Sequence, residues 1–205
     1  MTEYIPEKTI TLEAFLALDR VEVVDGKVVE MSPMGGLHSL VSLNIVRSLG
    51  NYIEQQDLGI AFGDGMTFLM HSGQPHLRDA FIPDVSFIFH ANVPAEWDAL
   101  KPHPGVPDFA VEVVSPTDRP EVLKVKLDTY LSKGTREMWR VYPTLLLVER
   151  HWVDETGERT QTVRTGRIDT SRFLPEWHIT VEDVFRLPEW MKQQLGKLSS
   201  PPTEA

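Results

Sequence analysis

The chain has 205 residues, no cysteine and a formal net charge of −10. The lack of cysteine excludes disulfide bonds and cysteine-ligated zinc sites, and the acidic charge argues against a protein that coats nucleic acid without specificity. A chain of this length fits one domain, which we expect over residues 1–192, followed by a polar, disordered tail over residues 193–205.

The start of the sequence and its hydropathy bear on the cellular location. Residues 1–11 do not show the basic segment followed by an apolar segment that marks a signal peptide, and no run of about 18 apolar residues occurs. Cysteine-free composition suits a reducing compartment. We therefore expect a cytoplasmic protein without a membrane span.

The first half of the chain carries the signals of a short helix, a hairpin and a long helix. Thr11 has the side chain of a helix N-cap, and Asp25 followed by Gly26 between two apolar runs is a strong hairpin signal. In chain order, we predict a helix over residues 12–18, hairpin strands over 22–24 and 27–31, a loop over 32–36, an amphipathic helix over 38–55, one or two strands over 60–70, and a polar loop over 71–78.

The second half is predicted to contain further strands around one helix. In chain order, we predict strands over 81–89 and 109–114 joined by an irregular, proline-rich segment over 91–107, a helix over 120–132, strands over 137–142, 145–151 and 159–164, and a short helix near residue 185 opened by a capping box at 180–183. Mixed helices and strands of this kind predict an α/β or α+β fold with a mixed central sheet flanked by helices.

Two of the predicted strands each carry one acid within an otherwise apolar run. Asp84 is the lone charge of segment 81–89, and Glu112 is the lone charge of segment 109–114. Apolar residues on both faces of a strand indicate that both faces are covered, so that Glu112 is expected to be buried. Burial of an unpaired charge costs several kcal/mol or more. These acids therefore need partners, which are either a shared cation or, in a purely structural role, a nearby arginine or backbone N–H groups.

Lys126 falls within the apolar stripe of the predicted helix over 120–132. It is expected to lie near Leu123 and Tyr130 on the helix surface. The structural alternative is a lysine whose stem packs against apolar groups while its ammonium reaches water.

Two acids and a lysine that share one site would suit metal-dependent phosphodiester hydrolysis. In this hypothesis Asp84 and Glu112 hold Mg²⁺, with Mn²⁺ as an alternative and the main-chain carbonyl of Val113 as a further ligand. Lys126 would orient the attacking water and help to neutralise the transition state.

Five basic residues lie close to this proposed site in sequence: Arg119, Lys124, Lys133, Arg136 and Arg140. They predict a local basic groove that would accept DNA on an otherwise acidic molecule. The alternative is a set of charges on a solvated helix face.

Several segments, taken in order and spacing, resemble the Uma-type restriction endonuclease domain family of the PD-(D/E)XK nuclease superfamily. The matching segments are 21–33 (VEVVDGKVVEMSP), 82–86 (IPDVS), 107–116 (PDFAVEVVSP) and 137–143 (EMWRVYP), together with His38, Lys126, Tyr130 and Gly134. The resemblance extends over about residues 11–185. It implies a restriction-endonuclease-like fold.

The resemblance also implies roles for individual residues. Asp84 and Glu112 match the metal-binding acids, and Lys126 matches the lysine that this family carries on the following helix. The superfamily position for that lysine, two residues after the glutamate, is Val114 here. Glu22 matches an acid that binds the metal or supports its ligands, and His38 matches a recurrent histidine at the head of the first long helix. The alternative for His38 is a capping or packing role.

Three functions remain open at this point. The first is a Mg²⁺-dependent DNA endonuclease, expected to act as a homodimer because cutting both strands requires two sites. The second is a catalytically silent module of the same fold that binds nucleic acid or protein, which the acidic charge favours. The third is a histidine-based hydrolase, although no His-x-His, His-Glu-x-x-His or Gly-x-Ser-x-Gly spacing occurs.

Overall fold

The computed structural model describes residues 10–73 and 76–198. The helices are α1 (Leu12–Leu16), α2 (Gly36–Gln56), α3 (Pro120–Lys133), α4 (Val181–Val184) and α5 (Glu189–Leu198), and a 3-10 turn covers His90–Asn92. The strands are β1 (Ile10–Thr11), β2 (Val21–Val24), β3 (Lys27–Glu30), β4 (Gly59–Gly63), β5 (Phe68–Gly73), β6 (His76–Phe81), β7 (Val85–Phe89), β8 (His103–Pro104), β9 (Phe109–Val113), β10 (Glu137–Tyr142), β11 (Leu147–Asp154), β12 (Gly157–Val163), β13 (Arg167–Ile168) and β14 (Ile179–Thr180).

Most of the described strands belong to two sheets. The first sheet has the strand order β3-β2-β6-β5-β8, with β1 also paired to β6, and the second has the order β12-β11-β10-β9-β7-β4. In the second sheet β9 and β10 run parallel, whereas the other neighbouring strands run antiparallel. The predicted mixed α/β or α+β fold, with a mixed sheet flanked by helices, is confirmed.

The second sheet is covered by a different helix on each face. On one face, Ile45 and Leu49 of α2 share an apolar cluster with Phe87 and Val111 of the sheet. On the other face, α3 packs between the two sheets. Alternation along β9 therefore directs Val111 toward α2 and directs Glu112 toward α3.

The hairpin of β2 and β3 confirms the prediction from the Asp-Gly pair. Asp25 and Gly26 have φ values of 49° and 76°. Positive φ at both central residues is what a two-residue type I′ turn requires, and it suits the twist of the flanking strands. The hairpin holds Glu22 within β2, all four of whose residues are buried.

The predicted continuous strand over residues 81–89 is wrong. β6 ends at Phe81 in the first sheet, and β7 begins at Val85 in the second sheet. Pro83 has no N–H to donate to a strand, and the N–H of Ile82 is bonded to the Glu22 carboxylate instead of to a neighbouring strand. The chain therefore passes from one sheet to the other at residues 82–84, and Asp84 lies in this crossing.

The predicted polar loop over residues 71–78 is also wrong. β5 extends to Gly73 and β6 begins at His76, while residues 74 and 75 lie outside the described residues. β6 pairs with β5 on one side and with β1 and β2 on the other. Hydrogen bonds from neighbouring strands therefore keep a polar segment extended, which its local composition does not indicate.

The C-terminal part of the described chain is helical. α5 runs through Leu198, so it crosses the domain boundary expected at residue 192 and covers the segment 193–198. Residues 199–205 of the expected tail and residues 1–9 at the start lie outside the described residues. Within 10–73 and 76–198, no helix has both the length and the apolar character needed to cross a membrane.

Candidate active site

A cavity of about 340 Å³ opens where the chain crosses between the two sheets. Its lining includes every predicted site residue: Glu22 on β2, His38 on α2, Asp84 in the crossing, Glu112 and Val113 on β9, and Lys126 on α3. Residues that are as much as 104 positions apart in sequence thus meet in one place. Their catalytic and metal-binding roles remain predictions.

The ammonium of Lys126 lies at the centre of the site. The residue is only 5% exposed, and its Nζ is 2.7 Å from Glu112 Oε1 and 2.9 Å from Glu22 Oε1. The face of the Phe81 ring lies 5.5 Å away. The alternative in which this ammonium reaches bulk water is therefore wrong. The sequence hypothesis expected a cation between Asp84 and Glu112, whereas this protein cation lies between Glu22 and Glu112.

Glu112 is held from two sides and carries a strongly shifted pKa. Tyr130 Oη donates to Glu112 Oε1 at 2.9 Å, beside the contact with Lys126. Burial raises the pKa of Glu112 to about 8, and the negative charges of Glu22 and Asp84 add to this rise, although the Lys126 ammonium opposes it. Near neutral pH, this site therefore holds a carboxyl group that can exchange a proton.

The pKa of Lys126 shifts in the opposite sense to that of an isolated buried amine. Burial alone would lower it, but the charges of Glu112 and Glu22 outweigh burial and raise it above its ordinary value of 10.5. The lysine is therefore a permanent cation in this arrangement. It cannot act as a proton acceptor near neutral pH, and it remains available to stabilise negative charge.

Asp84 is fixed by the backbone of β9 and by the long helix. The N–H of Val113 donates to Asp84 Oδ2 at 2.6 Å, and His38 Nε2 lies 2.7 Å from Asp84 Oδ1. Burial lowers the pKa of His38, but the hydrogen bond and charge of Asp84 outweigh it and leave this pKa raised. The contact with Val113 places Asp84 beside the residue that follows Glu112, so the two predicted acids share one end of β9.

Sequence analysis did not identify the contacts made by Tyr130 and by the N–H of Ile82. The helical pattern indicates only that Tyr130 lies next to Lys126, four residues away on the same helix, and does not indicate that its hydroxyl bonds to Glu112. That spacing places the two side chains on one helix face, so a hydroxyl close to the lysine could have been expected. The Ile82 contact depends on which strand faces the crossing, and no local pattern indicates it.

The predicted basic groove does not form as a unit. Arg119 lines the cavity, whereas Lys124, Lys133, Arg136 and Arg140 are not part of its lining. Lys124 Nζ pairs with Asp128 Oδ1 at 2.5 Å on the exposed side of α3. Arg136 pairs with Asp108 at the opposite end of β9 from Glu112. The prediction is wrong because residues that are close in sequence lie on different faces of a helix or at different ends of a strand, and so do not form one surface.

The fit of the site to a divalent metal depends on donor chemistry. Within the part of the chain that the structure describes, no group of three or more His, Cys, Asp or Glu side chains is arranged to hold a metal ion. Mg²⁺, however, is usually bound by one or two carboxylates together with several waters. Asp84 and Glu112 supply such hard oxygen donors on one cavity wall, so the residue types fit this ion.

A Glu112→Gln variant should be more stable than the original protein at pH 9, by roughly 1–3 kcal/mol. Because burial raises the folded pKa of Glu112 from 4.5 to about 8, its contribution to stability is fully present below pH 4.5 and is lost as pH rises through 8. Glutamine keeps an acceptor for Lys126 and Tyr130 but has no charge to bury. Urea unfolding between pH 4.5 and 9 measures the difference, which should shrink toward acid pH. A variant that is destabilised equally at all pH values would contradict this account of Glu112.

Comparisons with known proteins bear on the family and the fold of the chain. The model of the Uma2 family, described as "Putative restriction endonuclease", matches residues 11–182. A crystal structure of "a putative nuclease belonging to DUF820" from Anabaena variabilis superposes with a TM-score of 0.71 at 20% sequence identity, covering 86% of this chain and 97% of that one. That likeness shows the fold. No curated protein matches the chain.

Proposed function

The chain belongs to the Uma2 family, and from that premise we propose that it is a Mg²⁺-dependent endonuclease that hydrolyses phosphodiester bonds of DNA. The observation that carries the proposal is the buried Lys126 ammonium, held against two carboxylates in a cavity that a third carboxylate, Asp84, also lines. An ion pair with a purely structural role does not require an open cavity beside it, whereas a site that binds a phosphate group does.

In this proposal each residue of the cavity has a distinct task. Asp84 and Glu112, with the main-chain carbonyl of Val113, would hold Mg²⁺, and Mn²⁺ would be accepted in its place. When bound, the ion would supply a Lewis acid that lowers the pKa of a water molecule and offsets charge on the phosphate. Lys126 would donate hydrogen bonds to the attacking water and to the negative charge that develops on the phosphate.

Glu22 and His38 act in this proposal as positioning residues. Both carboxylate oxygens of Glu22 accept from Lys126, at 2.9 and 3.1 Å, and Glu22 Oε1 also accepts from the N–H of Ile82 at 2.7 Å. Glu22 therefore holds the ammonium and the crossing segment together. His38 holds one oxygen of Asp84 and fixes the direction of its carboxylate.

A second candidate function is a catalytically silent module of the nuclease fold. It is favoured by the contacts of the acids, since Asp84 and Glu112 are already engaged by His38, Val113, Tyr130 and Lys126. The net charge of −10 favours it as well. Such a module would show no heat of Mg²⁺ binding in titration calorimetry and no turnover of any nucleic acid.

Incubation with supercoiled plasmid DNA separates the two functions. We expect nicked and then linear plasmid with Mg²⁺ or Mn²⁺, and unchanged plasmid with EDTA. We further propose that two copies act together, so that linear product should appear without a long delay after nicking. Intact plasmid under all metal conditions, together with no calorimetric signal for Mg²⁺, would leave only the silent module.

A further inference from the structure

The charges that line the cavity are unfavourable for a polyanion. The acidic members of the lining are Glu22, Glu30, Asp84, Glu112 and Asp118, and the basic members are His38, Arg119 and Lys126. Lys126 is already paired with Glu22 and Glu112, and His38 is bonded to Asp84. A phosphate group that flanks the phosphodiester bond to be cut therefore needs a cation other than Lys126 and His38.

Arg119 is such a cation. Among the residues that the structure describes, no acidic group forms an ion pair with its guanidinium and no side-chain hydrogen bond engages it. It is exposed at the edge of the cavity. Its guanidinium has no acidic partner among the described residues, whereas the ammonium of Lys126 and the imidazole of His38 each contact an acid in the interior.

The local structure offers no other reason for an arginine at this position. Arg119 is the N-cap residue of α3, yet its side chain makes no capping hydrogen bond. Serine, threonine, aspartate and asparagine are preferred at an N-cap, and a positive charge at a helix N-terminus opposes the helix dipole. Another residue type at this position would stabilise the helix more, so helix stability does not explain the arginine.

We propose that Arg119 binds a backbone phosphate of the DNA that flanks the phosphodiester bond to be cut; this rests on the proposed function. A guanidinium matches the geometry of a phosphate group with two parallel N–H donors. Arg119 precedes Lys126 by seven residues on the same helix, which corresponds to roughly 10 Å along its axis. The proposal therefore assigns to Arg119 a phosphate that flanks the one assigned to Lys126.

Steady-state cleavage of a short DNA duplex tests the assignment with three variants. Arg119→Ala should raise KM about tenfold and leave kcat within about twofold, since a flanking phosphate is bound equally in the ground state and the transition state. Arg119→Lys should restore part of the loss, because it keeps the charge without the planar fork. Lys124→Ala is the matched control on the same helix; its charge is already paired with Asp128, and its KM should stay within about twofold.

Salt dependence gives a second readout that a structural role would not change. The slope of log(kcat/KM) against log[salt] should become shallower by about one in Arg119→Ala, as expected for the loss of one phosphate contact, and should be unchanged in Lys124→Ala. Unfolding by urea should change only slightly in all three variants, because Arg119 has no acidic partner among the described residues and Lys124 is paired only in an exposed ion pair.

The other outcomes are distinguishable. If the original protein cleaves the duplex and Arg119→Ala has the same KM and salt slope, the assignment of Arg119 is overturned while the endonuclease proposal stands. A fall in kcat with an unchanged KM would also overturn it, because the residue would then act on the reacting phosphate. If the original protein does not cleave DNA at all, both proposals fail.

Discussion

A Lys126→Met protein is expected to lose about 3–5 kcal/mol of its free energy of unfolding at pH 8, because it leaves Glu22 and Glu112 buried without their cation. Lys126 is 5% exposed, and its ammonium contacts both carboxylates within 3 Å, so little water can replace it. The loss should shrink at lower pH, where Glu112, whose pKa burial raises to about 8, takes up a proton. Cleavage should fall by about 10²–10³-fold, as for removal of one transition-state donor.

Two further proteins separate the stability effect from the catalytic effect. Lys124→Met removes a lysine of the same helix that pairs with Asp128 in water, and it should cost less than about 0.5 kcal/mol. Adding Glu112→Gln to Lys126→Met removes one of the two carboxyl groups left without their cation and should recover a large part of the lost stability without restoring cleavage. If Lys126→Met were as stable as Lys124→Met, Lys126 would not be the buried cation of the site.

An Asp84→Asn protein should lose cleavage on the order of 10³-fold while its free energy of unfolding changes by only about 1 kcal/mol. Asparagine can still accept from the N–H of Val113 and still bond to His38, so the crossing between the sheets is retained. It lacks the negative charge that the proposed metal site needs. Plasmid cleavage and urea unfolding measure the two effects on the same preparation.

Asp108→Asn is the matched control for this substitution. Asp108 is also 6% exposed, and it also accepts a backbone N–H, that of Phe89, but it lies at the other end of β9. It pairs with Arg136, so its loss should reduce stability more than Asp84→Asn does. Its cleavage rate should stay near that of the original protein. Equal loss of cleavage in the two variants would show that the effect of Asp84 arises from folding and not from the site.

The parts of the site that follow local patterns could be predicted from the sequence. The apolar run around Glu112 indicates a strand covered on both faces, and Glu112 is buried as expected. Helical spacing indicated that Lys126 lies on the buried face of its helix. In both cases a single charge within an apolar pattern was the informative signal, because burial of a charge demands a partner.

The parts that depend on tertiary structure could not be predicted in this way. One of the two acidic partners of Lys126 is Glu22, 104 residues away, and nothing local indicates that β2 and α3 face each other. Only the family resemblance pointed to Glu22. The mainly apolar composition of residues 81–89 favours a single strand, whereas Pro83 and the contact of Ile82 with Glu22 divide this segment between two sheets.

Diffraction from a crystal soaked in Mn²⁺ would show whether Asp84 and Glu112 bind a divalent metal ion, since the ion is located by its anomalous signal. We expect one Mn²⁺ site in the cavity within about 2.0–2.3 Å of oxygens of both Asp84 and Glu112, close to the distances of hard divalent ions. Lys126 should remain in contact with Glu22. The proposed metal site would be contradicted if anomalous density lay only elsewhere on the protein. In that case Asp84 would still be bonded to His38 and Val113, and Glu112 to Tyr130 and Lys126.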